Sequence, residues 1–137
     1  MDNSVMTPYL VPPEEIDRFW SFLQHGLEAV QETDESVEWT LDSVNNAAKN
    51  GGAYTVLGVK GDVAVGFFMG YPQPDESFFV WIAHLHLGYD LGEGIDMLAG
   101  FAKDLGCNRL IFGTNRRGWE RVARKYGFRP TYWEKAI

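Results

Sequence analysis

The chain has 137 residues, one domain by length, and carries 12 Lys and Arg against 19 Asp and Glu, a net charge of −7. That balance excludes a general nucleic-acid binder, which needs a basic footprint, and favours cationic over anionic partners. A single cysteine, Cys107, excludes an intramolecular disulfide, and the 45% hydrophobic content belongs to a globular protein.

The opening MDNSVMTPYLVPP has neither a basic start nor an apolar core, so no secretory signal is expected. In VPPEEIDRFWSFLQHGLEAV, Pro13 suits a first helical turn, and Glu14 and Glu15 complement a helix N-terminus. Ile16, Phe19, Trp20, Leu23, Leu27 and Val30 recur at helical spacing, with His25 on the outer face. QETDESVE reads as an acidic loop. A shorter helix follows, with Thr40 as its cap and NGG (50–52) as its stop.

The pattern then changes to β-branched and aromatic residues. AYTVLGV and VAVGFFMGY, joined by KGD, form a hairpin; YPQPDES is a loop and FFVWIAHLHL a third strand. That last run is too short and too broken by histidine to span a bilayer, so a soluble, cytoplasmic protein with no membrane partner is expected. The glycine-rich HLGYDLGEGIDML leads into a helix whose Ile95, Leu98, Ala99, Ala102 and Leu105 mark one face. Cys107, between that helix and the strand RLIFGT, reads as a packing residue. GWERVARKYGF is an amphipathic helix with Trp119, Val122, Ala123 and Tyr126 on its apolar stripe, and PTYWEKAI a last strand. The order, without repeats or linkers, predicts a single α/β domain over residues 1–137, with a mixed central sheet flanked by helices.

VAVGFF, LGEGIDML, LIFGTNRR and VARKYGF, taken in this order, resemble the GNAT acetyltransferase superfamily over most of the chain from about Thr40 onward. The resemblance implies acetyl-CoA as cofactor and transfer of its acetyl group to a small-molecule or protein amine. In such proteins the pyrophosphate rests on a helix N-terminus, where unpaired amides and the positive dipole end attract anions. On that pattern the cofactor-binding residues are Leu87, Leu91, Gly92, Glu93, Gly94, Ile95, Asp96 and Asn115. Gly92 and Gly94 match the inner glycines of the loop. Leu91 stands where Arg or Gln is usual, and Asp96 where Gly or Ala is usual. A carboxylate in the first helical turn can accept the same N–H groups as a phosphate, so Asp96 is expected to compete for the anion's seat, while Glu93 faces water and Asp90 adds negative field.

The candidate base is His84 or His86, which share one strand face with Ile82, away from Ala83, Leu85 and Leu87. Both are equally consistent with hydrogen-bonded structural histidines. Ala123 occupies the position of the usual tyrosine acid, which leaves Tyr126, one turn on, as a shifted acid or a core residue. Asn115 contacts pantetheine or ribose, or caps its helix. Arg116, Arg117, Arg121, Arg124 and Lys125 engage the 3′-phosphate of CoA, bind an acidic protein surface, or form a solvated face. No metal site is indicated.

Two functions remain open at this point. One is an acetyl-CoA-dependent N-acyltransferase. The other is a catalytically silent GNAT-fold module with a protein partner, such as the compact, motif-eroded members among bacteriophage proteins, where it would be virion-associated. The aromatic FFVWI and TYW offer surface for a homo-oligomer in either case.

Overall fold

The computed structural model describes residues 5–34, 37–112, 123–128 and 133–137. The described strands are β1 (Thr7–Val11), β2 (Tyr54–Lys60), β3 (Val63–Pro72), β4 (Ser77–Leu85), β5 (Arg109–Phe112) and β6 (Trp133–Ala136). They form one sheet in chain order, antiparallel except where β4 meets β5. The helices are α1 (Ile16–Thr33), entered through a 3-10 turn at Pro13–Glu15, α2 (Leu41–Lys49) and α3 (Leu91–Asp104). Residues 123–125 add a helical turn before the last strand. No helix among the described residues is long and apolar enough to cross a membrane.

β1 is the element that hydropathy does not announce. Pro8 cannot donate to a ladder and so argues against a central strand, but an edge strand tolerates it, and β1 is an edge. The local signals for α2 behave as expected. The Thr40 hydroxyl accepts the Ser43 N–H at 3.1 Å, and the Ser43 hydroxyl accepts the Thr40 N–H at 2.9 Å, a reciprocal cap.

The sheet has a core on each face. Ile16, Leu23, Leu27 and Val30 of α1 and Val44 and Ala48 of α2 pack on Leu57, Phe67, Met69 and Ile82. Ile95, Leu98 and Ala102 of α3, with Ala123 and Phe128, pack on Val56, Phe68, Phe78, Val80 and Leu110. Val80 and Ile82 therefore face opposite sides of the sheet, although residues two apart on a regular strand share a face. The reason is a bulge: Met69 pairs with Ile82 and Gly70 with Val80, so Trp81 is an extra residue in β4. A second irregularity leaves Val65 extra in β3, between Gly58↔Gly66 and Val59↔Ala64.

α1 packs tightly on the sheet at Gly26. A Cβ there would lie 2.5 Å from Phe67 Cε1 and 2.9 Å from His84 Cδ2, so any side chain would push α1 off the strands. We expect Gly26→Val to lower stability by about 2 kcal/mol through overpacking, read as a lower midpoint in urea unfolding.

Cys107 is buried, with its Sγ 3.6 Å from the Ser77 carbonyl oxygen. Burial pushes its thiol above the ordinary value, with Asp75 and Glu76 adding to the shift. The folded state thus favours the protonated thiol, and this stabilisation is lost as pH rises through the raised value. Alkylation of Cys107 at pH 8 should be much slower in the native protein than in urea-unfolded chain; equal rates would show the thiol accessible.

Candidate active site

The bulge at Trp81 decides what β4 presents. Beyond it, Ile82 faces α1, and His84 follows it onto that side, its ring 6.1 Å from Phe67. His86 lies just past the strand end, held by its own N–H donating to the carbonyl of the extra residue Val65 at 2.9 Å. Its ring sits 5.3 Å from Phe22 of α1 and 5.5 Å from His84. Both histidines are half-buried, and the expectation that they share a face is met. Periodicity gave no sign of the bulge, because FFVWI is apolar on both faces and so has no alternation to break.

The start of α3 differs from expectation in one decisive respect. Its cap is Asp90, whose Oδ1 accepts the Gly92 N–H at 2.9 Å, while the Asp90 carbonyl accepts the Gly94 N–H at 3.1 Å. Asp96 lies well inside the helix and is exposed, so it does not occupy the anion's seat. An Asp immediately before the first helical residue is the better-placed cap, since its extended backbone lets the side chain turn back onto the amides.

Glu93 also departs from expectation. Its carboxylate does not face water; it accepts the Met6 N–H at 2.8 Å and pairs with Lys60 Nζ at 3.2 Å. The first turn of α3 is thereby tied to the segment before β1 and to the end of β2. Leu91, where the resemblance implied Arg or Gln, packs half-buried against the α3-side core. Leu87 is fully exposed in the turn, and Ile95 is buried.

Tyr126 reaches the same helix terminus. A Cβ on Gly92 would lie 3.0 Å from Tyr126 Cε1 and 3.6 Å from its hydroxyl, so a side chain at 92 would crowd the ring. The ring also packs on the α3-side core, with the Lys125 ammonium 5.6 Å from its centroid. Ala123 is buried, where no side-chain acid is available. Asn115, Arg116, Arg117 and Arg121 lie outside the described residues.

Among the described residues the β4–β5 ladder pairs Ser77–Val80 of β4 with Arg109–Phe112 of β5. From there a cleft of about 590 Å³ opens, lined continuously by Trp81 to Tyr89 and crossing to Leu91, Gly94, Ile95 and Leu98 of α3 and to Phe112. On the α1 side its walls are Val30, Asp34, Val37, Glu38 and Trp39. Apart from Val30, read as part of the apolar stripe of α1, sequence reading did not single out these residues; the only signal was an acidic loop running into a tryptophan. Among the described residues no three of His, Cys, Asp and Glu gather as a metal site.

The single mixed six-stranded sheet flanked by helices is a GNAT-like α/β fold. No protein-family model and no curated protein sequence matches the chain. Solved structures do. An acetyltransferase from Thermus thermophilus is similar at 18% identity and TM-score 0.67, covering 98% of this chain and 99% of that one. A GNAT-family acetyltransferase from Listeria monocytogenes gives 9% identity and TM-score 0.67 over 96% of this chain and 95% of its own. PaiA N-acetyltransferase from Thermoplasma acidophilum, in complex with coenzyme A, gives 10% and 0.64 over 96% and 99%.

The two carboxylates at α3 can be told apart by stability. Asp90→Ala should cost about 1 kcal/mol as the cap is lost, whereas Asp96→Ala should stay within about 0.5 kcal/mol, both by urea unfolding. The reverse ranking would contradict the assignment of the cap.

Proposed function

We propose that the chain is an N-acyltransferase that takes its acyl group from acetyl-CoA and passes it to an amine. The observation that carries this reading is the single cleft running from the β4 bulge and its two histidines to the first turns of α3. The fold shared with acetyltransferases supports it, one of those structures containing coenzyme A.

The residues present fit such a donor. Leu85, Leu91, Ile95, Leu98 and Phe112 offer an apolar slot for the acyl and pantetheine portion. The α3 terminus offers amides and the positive dipole end for the diphosphate, which shares that terminus with the Asp90 carboxylate. Acetyl-CoA, when bound, supplies an acyl group activated as a thioester. The transfer forms a bond from the amine nitrogen to the acyl carbon and breaks the carbon–sulfur bond. Counted from an ammonium acceptor, the nitrogen loses two protons, of which the sulfur gains one and the other passes to solvent.

Amines with pKa near that of lysine are ammonium ions at neutral pH and cannot attack. His84 or His86 takes the ammonium's extra proton on a ring nitrogen and passes it to solvent. Tyr126, with its hydroxyl at the α3 terminus, stands at the diphosphate end of such a donor, so the departing sulfur would take its proton from solvent. Gly26 and Val65 hold the histidines in place, the first by letting α1 close on His84, the second through the bond to His86.

Acetyl-CoA at millimolar concentration should raise Tm by mass action, and free thiol should appear when an amine is added. Replacing both histidines by alanine should slow that release by about 10²–10⁴-fold while leaving the Tm shift. Asp90→Asn keeps a capping side chain and removes its charge, so acetyl-CoA affinity should rise about two- to fivefold, the worth of one charge at a helix terminus. Neither a Tm shift nor thiol release, in wild type and Asp90→Asn alike, would overturn the proposal in favour of a silent binding module.

A further inference from the structure

The acceptor half of the cleft has a charge pattern that the chemistry of transfer does not itself require. On the α1 side its charged lining residues are Asp34 and Glu38, and no Lys or Arg lines the cleft among the described residues. Asp34 is buried at 6% exposure, while Glu38 is exposed, so one carboxylate stands at depth and the other at the rim. Trp39 and Trp81 line the same cleft, both half-buried and packed against the α1-side core, so their rings are held rather than free to swing.

These groups are poorly suited to the nitrogen that is acylated. That nitrogen must be neutral when it attacks, and a nearby carboxylate favours its charged form. They are well suited to a cation that keeps its charge throughout: carboxylates give it a counter-charge, and indole faces attract it with little desolvation cost. The histidines on the same side of the sheet serve the nitrogen that reacts. The cleft of about 590 Å³ is shared with the donor's slot at α3, and its α1-side part is left for a small molecule carrying both groups on a short aliphatic body.

We propose that the acceptor is a diamine: a primary amine that is acylated beside His84 and His86, joined by an aliphatic spacer to a second ammonium held by Asp34, Glu38 and the tryptophans. The claim that this ligand is the acceptor rests on the acyltransferase reading; the cation seat itself does not. The second ammonium fixes orientation, and Val37 and Ile82 cover the methylenes between. The chain's excess of acid, ten of 19 carboxylates within residues 1–42, adds a field that draws such a dication to this side.

The test is calorimetric titration of the full chain, without donor, by 1,5-diaminopentane, pentylamine and 5-aminopentanoate. The diamine should bind at least about tenfold tighter than either analogue and weaken as salt rises from 0.15 to 0.5 M. Glu38→Gln, at an exposed position that leaves folding intact, should lower diamine affinity about three- to tenfold and leave pentylamine unchanged. Equal binding of pentylamine or 5-aminopentanoate, no heat from the diamine, or a diamine affinity untouched by Glu38→Gln would each overturn the proposal. Thiol release separates the two readings. Transfer to pentylamine as efficient as transfer to the diamine removes the diamine seat and keeps the acyltransferase. Selective diamine binding with no response to acetyl-CoA keeps the seat and removes the acyltransferase.

Discussion

The extra residue in β4 is the constraint on which the rest of the site depends. A strand's side chains alternate with period two, so inserting Trp81 opposite the Met69–Gly70 step exchanges the faces of everything after it. Phe78 and Val80 point to α3, whereas Ile82 and His84 point to α1. Without the insertion His84 would enter the apolar core under α3, where a polar ring has no partner among Ile95, Leu98 and Ala102. One irregularity thus places the polar groups on the α1 side of the sheet, where they line the cleft.

The second organising contact is the start of α3, where three demands meet. Asp90 caps the helix, Gly92 makes room for the Tyr126 ring, and Glu93 fastens the first turn to Met6 and Lys60. Each reduces the freedom of the terminus, so the amides there are held in one direction before any anion arrives. Such preorganisation avoids an ordering cost on binding, while the capping carboxylate sets a repulsion against it. The terminus is built rigidly, and its electrostatics are the adjustable part.

Most of the fold was legible because its signals are local. The α1 stripe, the Thr40 cap, the hairpin turn and the glycine-rich entry to α3 each depend on residues a few positions apart. β1 was harder, because Pro8 speaks against a strand and only its place at the sheet edge makes it acceptable. The site was legible in part. The shared face of His84 and His86 followed from strand geometry, but the bulge that selects that face left no mark in a run apolar on both sides. Asp90 and Asp96 could not be ranked as caps without knowing where the helix begins, which is fixed by backbone conformation at Asp90. The acidic and tryptophan wall of the cleft arises from residues more than 40 positions apart, Trp39 and Trp81, and no local pattern joins them.

The cleft between the β4 bulge and the start of α3 is the proposed seat of the acyl donor, and everything said of the reaction follows from that placement. Amide chemical-shift mapping by NMR during titration with coenzyme A tests it most directly. The largest shifts are expected at Trp81 to Leu85 and at Leu91, Gly92 and Gly94. Saturable shifts confined to the β1 edge, or none at these amides at millimolar coenzyme A, would contradict it.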